Sequence, residues 1–335
     1  MGKKLFDFVI GNPPYQKSDG GNNASATPLY DKFIEGIISQ LDPHYLSFVI
    51  PSRWYSGGRG LDNFRQFMMN DKHIKELHDY QNADECFPGM DISGGICFFL
   101  RDNEYDGKCS VINEGKNKCG GTLKRFLNEF PIVIGDNNAV KILRNIAFSK
   151  NGTLNTKVST QRPFGLRTYA RPTGCGELLL RWNNGIGPIE KDKVTLGNDI
   201  IDKWKVIVSR VFYEHAGKAD VDGKCRVLSI LEVLPPKTVC TETYLVVDSF
   251  EAESDANNLK KYLQSKFVRF LILQASSSIM ITKKSFIFVP LQDFTSHSDI
   301  DWSKSIHEID LQLYHKYGLD ENEINFIETH VKEMA

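Results

Sequence analysis

The tetrapeptide Asn12-Pro13-Pro14-Tyr15 combines residue types that can hold a planar, amine-bearing ring and activate its nitrogen. The amino group of a nucleobase is a poor nucleophile because its lone pair is delocalised into the ring. The Asn12 side chain and the Pro13 carbonyl offer two hydrogen-bond acceptors for the two N–H bonds of such a group. This pairing draws the nitrogen toward tetrahedral geometry and frees the lone pair. The Tyr15 ring can stack on the base, which contributes roughly 1–3 kcal/mol.

The two prolines make this pair of acceptors rigid before a substrate arrives. Each proline fixes its φ at about −65° and restricts the backbone conformation of the residue before it. Rigid acceptors need little reorganisation in the transition state. The apolar segment Phe6–Ile10 leads directly into Asn12 and predicts a short buried strand. An ordinary turn is the alternative interpretation of a double proline, but the position at the end of a strand favours a catalytic loop.

Strands and helices alternate over the first part of the chain, which predicts a parallel sheet with crossover helices. We expect two apolar segments, Ile96–Leu100 and Cys109–Ile112, to close this sheet as a hairpin-like antiparallel edge. The other expected strands and helix are at 5–10, 45–50, 74–77 and 61–69. A further helix begins at Pro28, and its buried face is predicted from helical spacing to be Leu29, Phe33, Ile37 and Leu41.

A glycine-rich polar stretch at 116–121 predicts a domain boundary near residue 120. Short strands and turns follow it, then one helix at 256–274 and a strand at 286–289. The chain ends in two helices, the second of which is predicted to be capped by Asp320. The second part of the chain is therefore expected to mix strands and helices.

The sequence around the tetrapeptide resembles the N6-adenine DNA methyltransferases with an Asn-Pro-Pro-Tyr motif, in particular the Eco57I-like restriction-modification methylases. The matching segments of the first part are Phe6–Gln16, Pro28–Phe33, Ser47–Trp54, Phe87–Gly89 and Gly94–Leu100. The part after about residue 150 is more loosely similar to the target-recognition half of that family. Its familiar segments are Thr243–Val247 and Phe288–Phe294.

The resemblance implies an α/β fold with a partial Rossmann-like methyltransferase sheet. Residues 1–120 would hold the catalytic half of that sheet, and residues 121–335 would form an α+β DNA target-recognition domain with C-terminal helices. The implied activity is site-specific methylation of adenine N6 in a restriction-modification system, with methyl transfer from S-adenosylmethionine to a flipped adenine. The implied catalytic residues are Asn12, Pro13, Pro14 and Tyr15, with Tyr15 and Phe87 stacking on the base.

A glycine-rich loop for S-adenosylmethionine usually lies upstream of the tetrapeptide in this family, and eleven residues lie upstream of it here. Of the downstream glycine segments, Ser56–Gly60 comes nearest because it opens a helix, but no acidic strand end follows about twenty residues later. Asp7 is a weak candidate for approaching the cofactor. We therefore expect weak or absent cofactor binding by this chain alone, and a complementary chain that carries the cofactor-binding half.

Basic and aromatic residues are interleaved between residues 161 and 171, which is typical of a surface that contacts DNA. Arginine can bind guanine with two hydrogen bonds, and an aromatic ring can wedge into a base step. A solvated loop is the alternative for this segment. The predicted DNA-binding residues are Arg162, Arg167, Tyr169 and Arg171 in this segment, Arg53 at a strand exit, and Lys283 and Lys284 in a basic cluster. The expected partners are double-stranded DNA and a restriction endonuclease.

The charge balance of the chain is almost even, with 41 lysines and arginines against 42 acidic residues. This balance excludes a general positive coat, but DNA recognition needs only a local basic surface. Seven widely spaced cysteines suit a reducing cytoplasm. The sequence has neither a Cys-x-x-Cys nor a His-x-x-x-His pair, so we expect no metal site. No apolar stretch has the length of a membrane span, so we expect no membrane association.

Two other functions stay open at this stage. The chain could be a catalytically inactive DNA-binding or specificity subunit that needs a partner chain. It could also be a methyltransferase that acts on another amine, in a protein glutamine or an RNA guanine, because such enzymes share the tetrapeptide. The large segment at 150–335 argues against the second, since those enzymes lack a large recognition domain. The sequence offers no convincing arrangement of paired acids and a lysine for a nuclease.

Overall fold

The computed structural model describes residues 6–17, 27–58, 60–90, 92, 94–115, 120–147, 152–211, 220, 222–276 and 280–334. The chain forms two compact units, Met1–Lys141 and Ile142–Ala335. The division falls later than the predicted boundary near residue 120, because the strand that follows this position pairs within the first sheet. Most of the glycine-rich stretch that suggested the earlier boundary, residues 116–119, lies outside the described residues.

The first unit is a mixed α/β layer around one six-stranded sheet. Its strands are β1 (Phe8–Gly11), β2 (Tyr45–Pro51), β3 (Ile74–Tyr80), β4 (Ile96–Asp102), β5 (Cys109–Asn113) and β6 (Thr122–Arg125). Its helices are α1 (Tyr30–Gln40) and α2 (Asp62–Asn70), and the division between the units falls within α3 (Asn137–Ala147). The strand order is β1-β2-β4-β3-β5-β6. The α/β class expected from the sequence is confirmed.

The hairpin predicted from β4 and β5 is wrong. Strand β4 lies between β2 and β3 and is antiparallel to both, whereas β5 pairs with β3 in parallel. The four strands β1, β2, β3 and β5 therefore run in one direction, and β4 and β6 run against them. The continuous apolar run of β4 suits this central position, because a central strand is covered by neighbours on both edges.

The core of the first unit lies between one face of the sheet and the helices. Alternate residues of β2, such as Phe48 and Ile50, point to this face and are buried. Helix α1 packs here mainly through Tyr30 and Ile34, and of the predicted face Ile37 packs against the core whereas Phe33 is 45% exposed. Helix α2 contributes Phe64 and other apolar residues to the same cluster. This packing fixes the end of β1 relative to the start of α1.

Strand β1 forms an edge of the sheet. Among the described residues it pairs with β2 only, in parallel and in the register Phe8 with Tyr45. The strand predicted here is present, but the prediction that it is buried is wrong: Phe8 is 67% exposed and Ile10 is 77% exposed. An edge strand with free backbone groups and apolar side chains is a template for pairing with another strand.

The described residues of the second unit form two small sheets and four helices. Its strands are β7 (Leu178–Trp182), β8 (Gly185–Ile189), β9 (Trp204–Ser209), β10 (Leu231–Leu234), β11 (Thr238–Cys240) and β12 (Tyr244–Phe250). They form the sheets β10-β9-β12 and β11-β7-β8. Its helices are α4 (Glu253–Gln264), α5 (Lys266–Gln274), α6 (Ile306–Lys316) and α7 (Glu321–His330). No helix in the described parts of the chain has the length and apolar character needed to span a bilayer.

Helix ends in the second unit follow capping side chains. The helix predicted at 256–274 is in fact two helices, because the Ser265 hydroxyl accepts a hydrogen bond from the Val268 N–H at 3.2 Å and starts α5. Asp320 caps α7 by accepting from the Glu323 N–H at 2.8 Å, as predicted. The strand predicted at 286–289 is wrong, because a short 3₁₀ turn, Lys283–Phe286, enters this segment.

Candidate active site

The tetrapeptide begins directly after β1, at the edge of the sheet where the parallel strands end. Asn12 and Pro14 are exposed, Tyr15 is half-buried, and Pro13 is buried. Ligands of open α/β sheets bind at the carboxyl ends of the strands, so this is the expected location for a site. The Asn12 amide can be reached from solvent, as the proposed chemistry requires.

The chain returns to the tetrapeptide before it enters α1. The Leu29 N–H donates to the Tyr15 carbonyl at 3.2 Å, and the Lys17 N–H donates to the Thr27 carbonyl at 3.0 Å. Gln16 and Pro28 form an antiparallel bridge between these two contacts. Tyr15 is thereby held beside the first turn of α1, so the site includes the start of that helix.

The Tyr15 hydroxyl remains protonated at neutral pH. Burial raises the pKa of Tyr15, and the neighbouring Asn12 side chain lowers it to a smaller extent. The two side chains are close, but their contact does not meet hydrogen-bond geometry. A neutral phenol can stack on a base but cannot serve as a general base at this pH. This agrees with a positioning role for the Tyr15 ring.

Two other residues predicted to act with the tetrapeptide lie on turns of the first unit. Phe87 is half-buried, and its N–H donates to the Ala83 carbonyl at 2.8 Å. The neighbouring Cys86 contributes, after burial, to raising the pKa of Tyr15. Arg53 is half-buried in the 3₁₀ turn that follows β2. The stacking role of Phe87 and the DNA contact of Arg53 stay predictions.

A buried carboxyl group lies under the turn that carries Arg53. The Asp79 side chain is 3% exposed, and the Ser52 hydroxyl donates to it at 3.3 Å. Burial raises the pKa of Asp79 to about 6, although Tyr55 and Ser52 oppose this change. The sequence analysis did not identify Asp79. Its spacing of two residues from Leu77 was an available signal, because alternate residues of a strand lie on the same face and Leu77 is buried.

The segment at 161–171 is held in place by a single acidic side chain that sequence reasoning missed. Glu242 accepts hydrogen bonds from the Thr168 N–H at 3.2 Å and from the Thr168 hydroxyl at 3.3 Å. The Gln161 amide and the Arg162 guanidinium also contact its carboxylate, each at 3.5 Å. Glu242 comes from a distant part of the chain, so no local pattern could reveal it.

The four predicted DNA-binding residues of this segment have different surroundings. Arg162 forms an ion pair with Glu242. The Arg171 guanidinium donates to the Thr168 and Ala170 carbonyls, each at 2.9 Å. It also lies over the Trp182 ring, 4.5 Å from the centroid. In contrast, the Arg167 side chain is exposed, and Tyr169 is 78% exposed. Arg167 and Tyr169 are therefore the two members of this set that project from an anchored loop.

The basic pair Lys283 and Lys284 is exposed on the 3₁₀ turn before residue 287. A reciprocal capping arrangement between Thr282 and Ser285 fixes that turn. The serine-rich segment just before this turn is described only in part, since residues 277–279 lie outside the described ranges. The phosphate contact of the two lysines stays a prediction.

Two places in the first unit were candidates for approaching a cofactor, Asp7 and the glycine turn after β2. Asp7 is exposed at the start of β1, and its carbonyl accepts from the Tyr45 N–H at 2.8 Å. The glycine turn after β2 has left-handed φ angles, including 71° at Gly57. Arg65 fills the space beside Gly57 and donates to the Ser56 carbonyl at 2.5 Å. This turn therefore faces a side chain of its own unit, and it does not fit a cofactor.

Across the described part of the chain, no group of three or more His, Cys, Asp or Glu side chains is arranged to hold a metal ion.

The first unit therefore combines a mixed sheet with an Asn-Pro-Pro-Tyr loop at the carboxyl end of its edge strand. Residues 1–87 match the family model of the Eco57I restriction-modification methylases. A protein of Mycoplasma pneumoniae that is described as an adenine-specific methylase is 39% identical over 125 residues. The aligned region covers 36% of this chain and 29% of that relative, so the chain spans less than a third of its length. The resemblance seen in the sequence is confirmed for this region.

The comparison with solved structures also found restriction-modification enzymes. The type IIL enzyme MmeI in complex with DNA has a TM-score of 0.45 at 10% identity, covering 96% of this chain and 56% of that chain. The type IIG endonuclease BpuSI has a TM-score of 0.38 at 11% identity, with coverage of 96% and 53%. The methyltransferase subunit of a type I system from Streptococcus thermophilus has a TM-score of 0.26 at 17% identity, with coverage of 35% and 29%.

Proposed function

We propose that this chain carries the catalytic residues of a site-specific DNA adenine-N6 methyltransferase of a restriction-modification system. The observation that carries this proposal is the open Asn-Pro-Pro-Tyr loop at the end of β1, in a region related to adenine-specific methylases. The target adenine would be rotated out of the duplex to reach this loop. The methyl donor in this proposal is S-adenosylmethionine.

In this proposal the chain prepares the nucleophile. The Asn12 amide oxygen and the Pro13 carbonyl accept hydrogen bonds from the two N6 hydrogens, which localises the lone pair on N6. The neutral Tyr15 ring stacks on one face of the base, and Phe87 covers the other. The chain need not supply a general base, because the nitrogen loses its proton only after it has reacted. The chemistry therefore depends on positioning and preorganised acceptors.

Product analysis tests this function directly. The chain, together with any polypeptide that copurifies with it, is incubated with S-adenosylmethionine and DNA from a host without adenine methylation. The DNA is then digested to nucleosides for mass spectrometry. We expect N6-methyladenine. Methylated cytosine would contradict the proposed base, and methylation of a protein glutamine or an RNA guanine would support the alternative acceptor.

The anchored loop of the second unit is the proposed surface for DNA recognition. Glu242 fixes the backbone at Thr168, so Arg167 and Tyr169 project from a preorganised support. A rigid support favours binding because less conformational freedom is lost when DNA binds. We propose that Arg167 contacts a base edge or phosphate and that Tyr169 contacts a base step. Arg53, Lys283 and Lys284 are proposed to contact the backbone, while Arg162 and Arg171 stabilise the loop.

Replacing Arg167 or Tyr169 by alanine is expected to lower DNA affinity about tenfold in each case, because each residue contributes a direct contact. Both side chains are exposed, so the urea midpoint of unfolding should not change. Fluorescence anisotropy with a pool of random-sequence duplexes measures the affinity. Lys304→Ala is the matched control, since it removes one exposed positive charge from another part of the same unit. Equal affinities for all variants would exclude this loop from the DNA surface.

The open edge of β1 favours a second arrangement, in which the catalytic unit works with a complementary polypeptide. A parallel strand paired with β1 would cover Phe8 and Ile10 and satisfy the free backbone groups of the edge. The complementary polypeptide would also carry the cofactor-binding half. The chain alone would then act as a DNA-binding or specificity subunit.

We further propose a restriction endonuclease as a companion of this protein and the reducing cytoplasm as its compartment.

Isothermal titration calorimetry of the chain alone with S-adenosylmethionine is expected to show no micromolar binding. The physical reason is that Arg65 fills the described glycine turn and that, within the described ranges, β1 pairs with β2 alone. S-adenosylhomocysteine serves as the second ligand, because it lacks the sulfonium charge but fills the same pocket. Micromolar binding of either ligand to the isolated chain would overturn the expected need for a complementary polypeptide.

A further inference from the structure

The hydroxyl group of Tyr30 is buried near the tetrapeptide and has no hydrogen-bond partner among the described residues. Tyr30 is the first residue of α1 and is 2% exposed. Its ring meets Phe64 edge-on, with the centroids 5.7 Å apart and an interplanar angle of 83°, so the core fixes its orientation. A buried hydroxyl without a partner is destabilising, and such groups are rare in folded proteins. An unpaired hydroxyl group at this position is therefore available to form a hydrogen bond with a ligand.

Three lines of evidence place this hydroxyl beside the site. The Leu29 N–H, one residue earlier, donates to the Tyr15 carbonyl at 3.2 Å. The pKa values of Tyr15 and Tyr30 are both raised, chiefly by burial, and Cys97 contributes to both changes. Phe64, which packs on the Tyr30 ring, also packs on Trp54 in the turn after β2, with ring centroids 5.9 Å apart. Tyr30 therefore lies where the tetrapeptide, α1 and the end of β2 meet.

The hydroxyl of Tyr30 is not used to complete α1. The residue at the start of this helix, Leu29, offers no side-chain cap. One carboxylate oxygen of the next residue, Asp31, is also buried without a hydrogen-bond partner in the described parts of the protein. Tyr30 stays neutral at physiological pH, because burial raises its pKa. A neutral hydroxyl can donate a hydrogen bond to a ring nitrogen.

We propose that Tyr30 is a base-binding residue, whose hydroxyl donates a hydrogen bond to a ring nitrogen of the extruded adenine. This inference rests on the proposed function and deepens it. Asn12 and Pro13 bind the exocyclic amine, and Tyr15 stacks on the ring. Tyr30 donates a hydrogen bond to one of the ring nitrogens that remain as acceptors along the edge of the base. A buried donor that is matched only by the correct ring discriminates strongly against rings that lack the acceptor.

The substitution Tyr30→Phe gives two effects of opposite sign. Removing an unpaired buried hydroxyl keeps the ring packing and should raise the urea midpoint of the free protein. The same change should weaken binding of deoxyadenosine monophosphate about tenfold, measured by ligand-observed NMR. Tyr262→Phe is the matched control, because the buried Tyr262 hydroxyl donates to the Pro290 carbonyl at 2.9 Å. That control should lower the urea midpoint and leave nucleotide binding unchanged.

Deaza analogues identify the acceptor and make the test specific. The 1-deaza, 3-deaza and 7-deaza forms of deoxyadenosine monophosphate each replace one ring nitrogen by carbon. One of them should bind the parent protein about tenfold more weakly, and Tyr30→Phe should not distinguish it from deoxyadenosine monophosphate. Unchanged nucleotide affinity in Tyr30→Phe, or a lowered urea midpoint like that of Tyr262→Phe, overturns the proposal.

The proposed function can be separated from this inference in the same experiment. If the parent binds the nucleotide and Asn12→Ala weakens that binding while Tyr30→Phe does not, then only the role of Tyr30 is wrong. If the parent shows no binding of the adenine nucleotide, the proposed substrate is wrong and the role of Tyr30 falls with it.

Discussion

An Asn12→Ala variant loses methyl transfer to adenine by a factor of about 10²–10³ and largely keeps its affinity for DNA. The loss follows because Asn12 supplies one of two preorganised acceptors for the amino group, and removing one such group costs about that much in rate. Asn12 is exposed at the end of β1, so its truncation should not disturb the packing of the sheet. The initial rate of N6-methyladenine formation and the anisotropy of a labelled duplex measure the two quantities.

Two companion variants make the Asn12 result specific. Asn128→Ala truncates another exposed asparagine of the first unit and should retain the parental rate. Asn12→Asp keeps an acceptor oxygen but adds a charge, so its rate should lie between those of the parent and Asn12→Ala. If Asn12→Ala methylates DNA at the parental rate, the tetrapeptide is not the catalytic site.

The tetrapeptide could be predicted from sequence because its parts are adjacent in the chain. One strand delivers Asn12, Pro13 and Tyr15 together, and the two prolines restrict the path between them. No long-range contact is needed to recognise such a group. The contacts that surround it are different: Asp79, Glu242 and the packing of Tyr30 on Phe64 each join residues that are distant in sequence. Periodicity contains no information about those pairings.

The topology of the sheet shows the same limit. The apolar run Ile96–Leu100 correctly indicated a strand, but nothing local specifies which strands flank it. Its insertion between β2 and β3 is set by tertiary packing. The buried face of α1 was predicted only in part for a related reason. This helix carries two overlapping apolar stripes, one through Phe33 and one through Ile34, and the position of the sheet selects the second.

The basic segment at 161–171 shows why composition alone does not identify a binding surface. Arg167 and Arg171 are four residues apart in a segment without acids, so the sequence predicts the same role, DNA binding, for both. In the structure Arg171 is engaged with carbonyl groups and the Trp182 ring, whereas the Arg167 side chain is exposed. Only the three-dimensional contacts separate the residue that stabilises the loop from the residue that is available to DNA.

The buried carboxyl group of Asp79 should make the stability of the protein fall as the pH rises from about 4 to about 6. Burial raises the pKa of Asp79 from 3.8 to about 6 in the folded state. The folded state therefore holds a proton that the unfolded state has already lost in this window. The stabilisation is fully present below the lower pKa and is lost as the pH passes the higher one. The difference between the two pKa values of Asp79 corresponds to about 3 kcal/mol in the free energy of unfolding.

The substitution Asp79→Asn tests this origin, because it keeps the size of the side chain and cannot ionise. Urea unfolding at pH values between 4 and 8 measures the free energy of unfolding of the parent and the variant. Asp310 also has a pKa raised to about 6 by burial, but it is present in both proteins and lies in the other unit. Its effect therefore cancels in the difference between the two profiles. That difference should shift in favour of Asp79→Asn by up to about 3 kcal/mol on going from pH 4 to pH 7. A constant difference across this range would mean that Asp79 does not carry the proton, and that the turn with Ser52 is held independently of its charge.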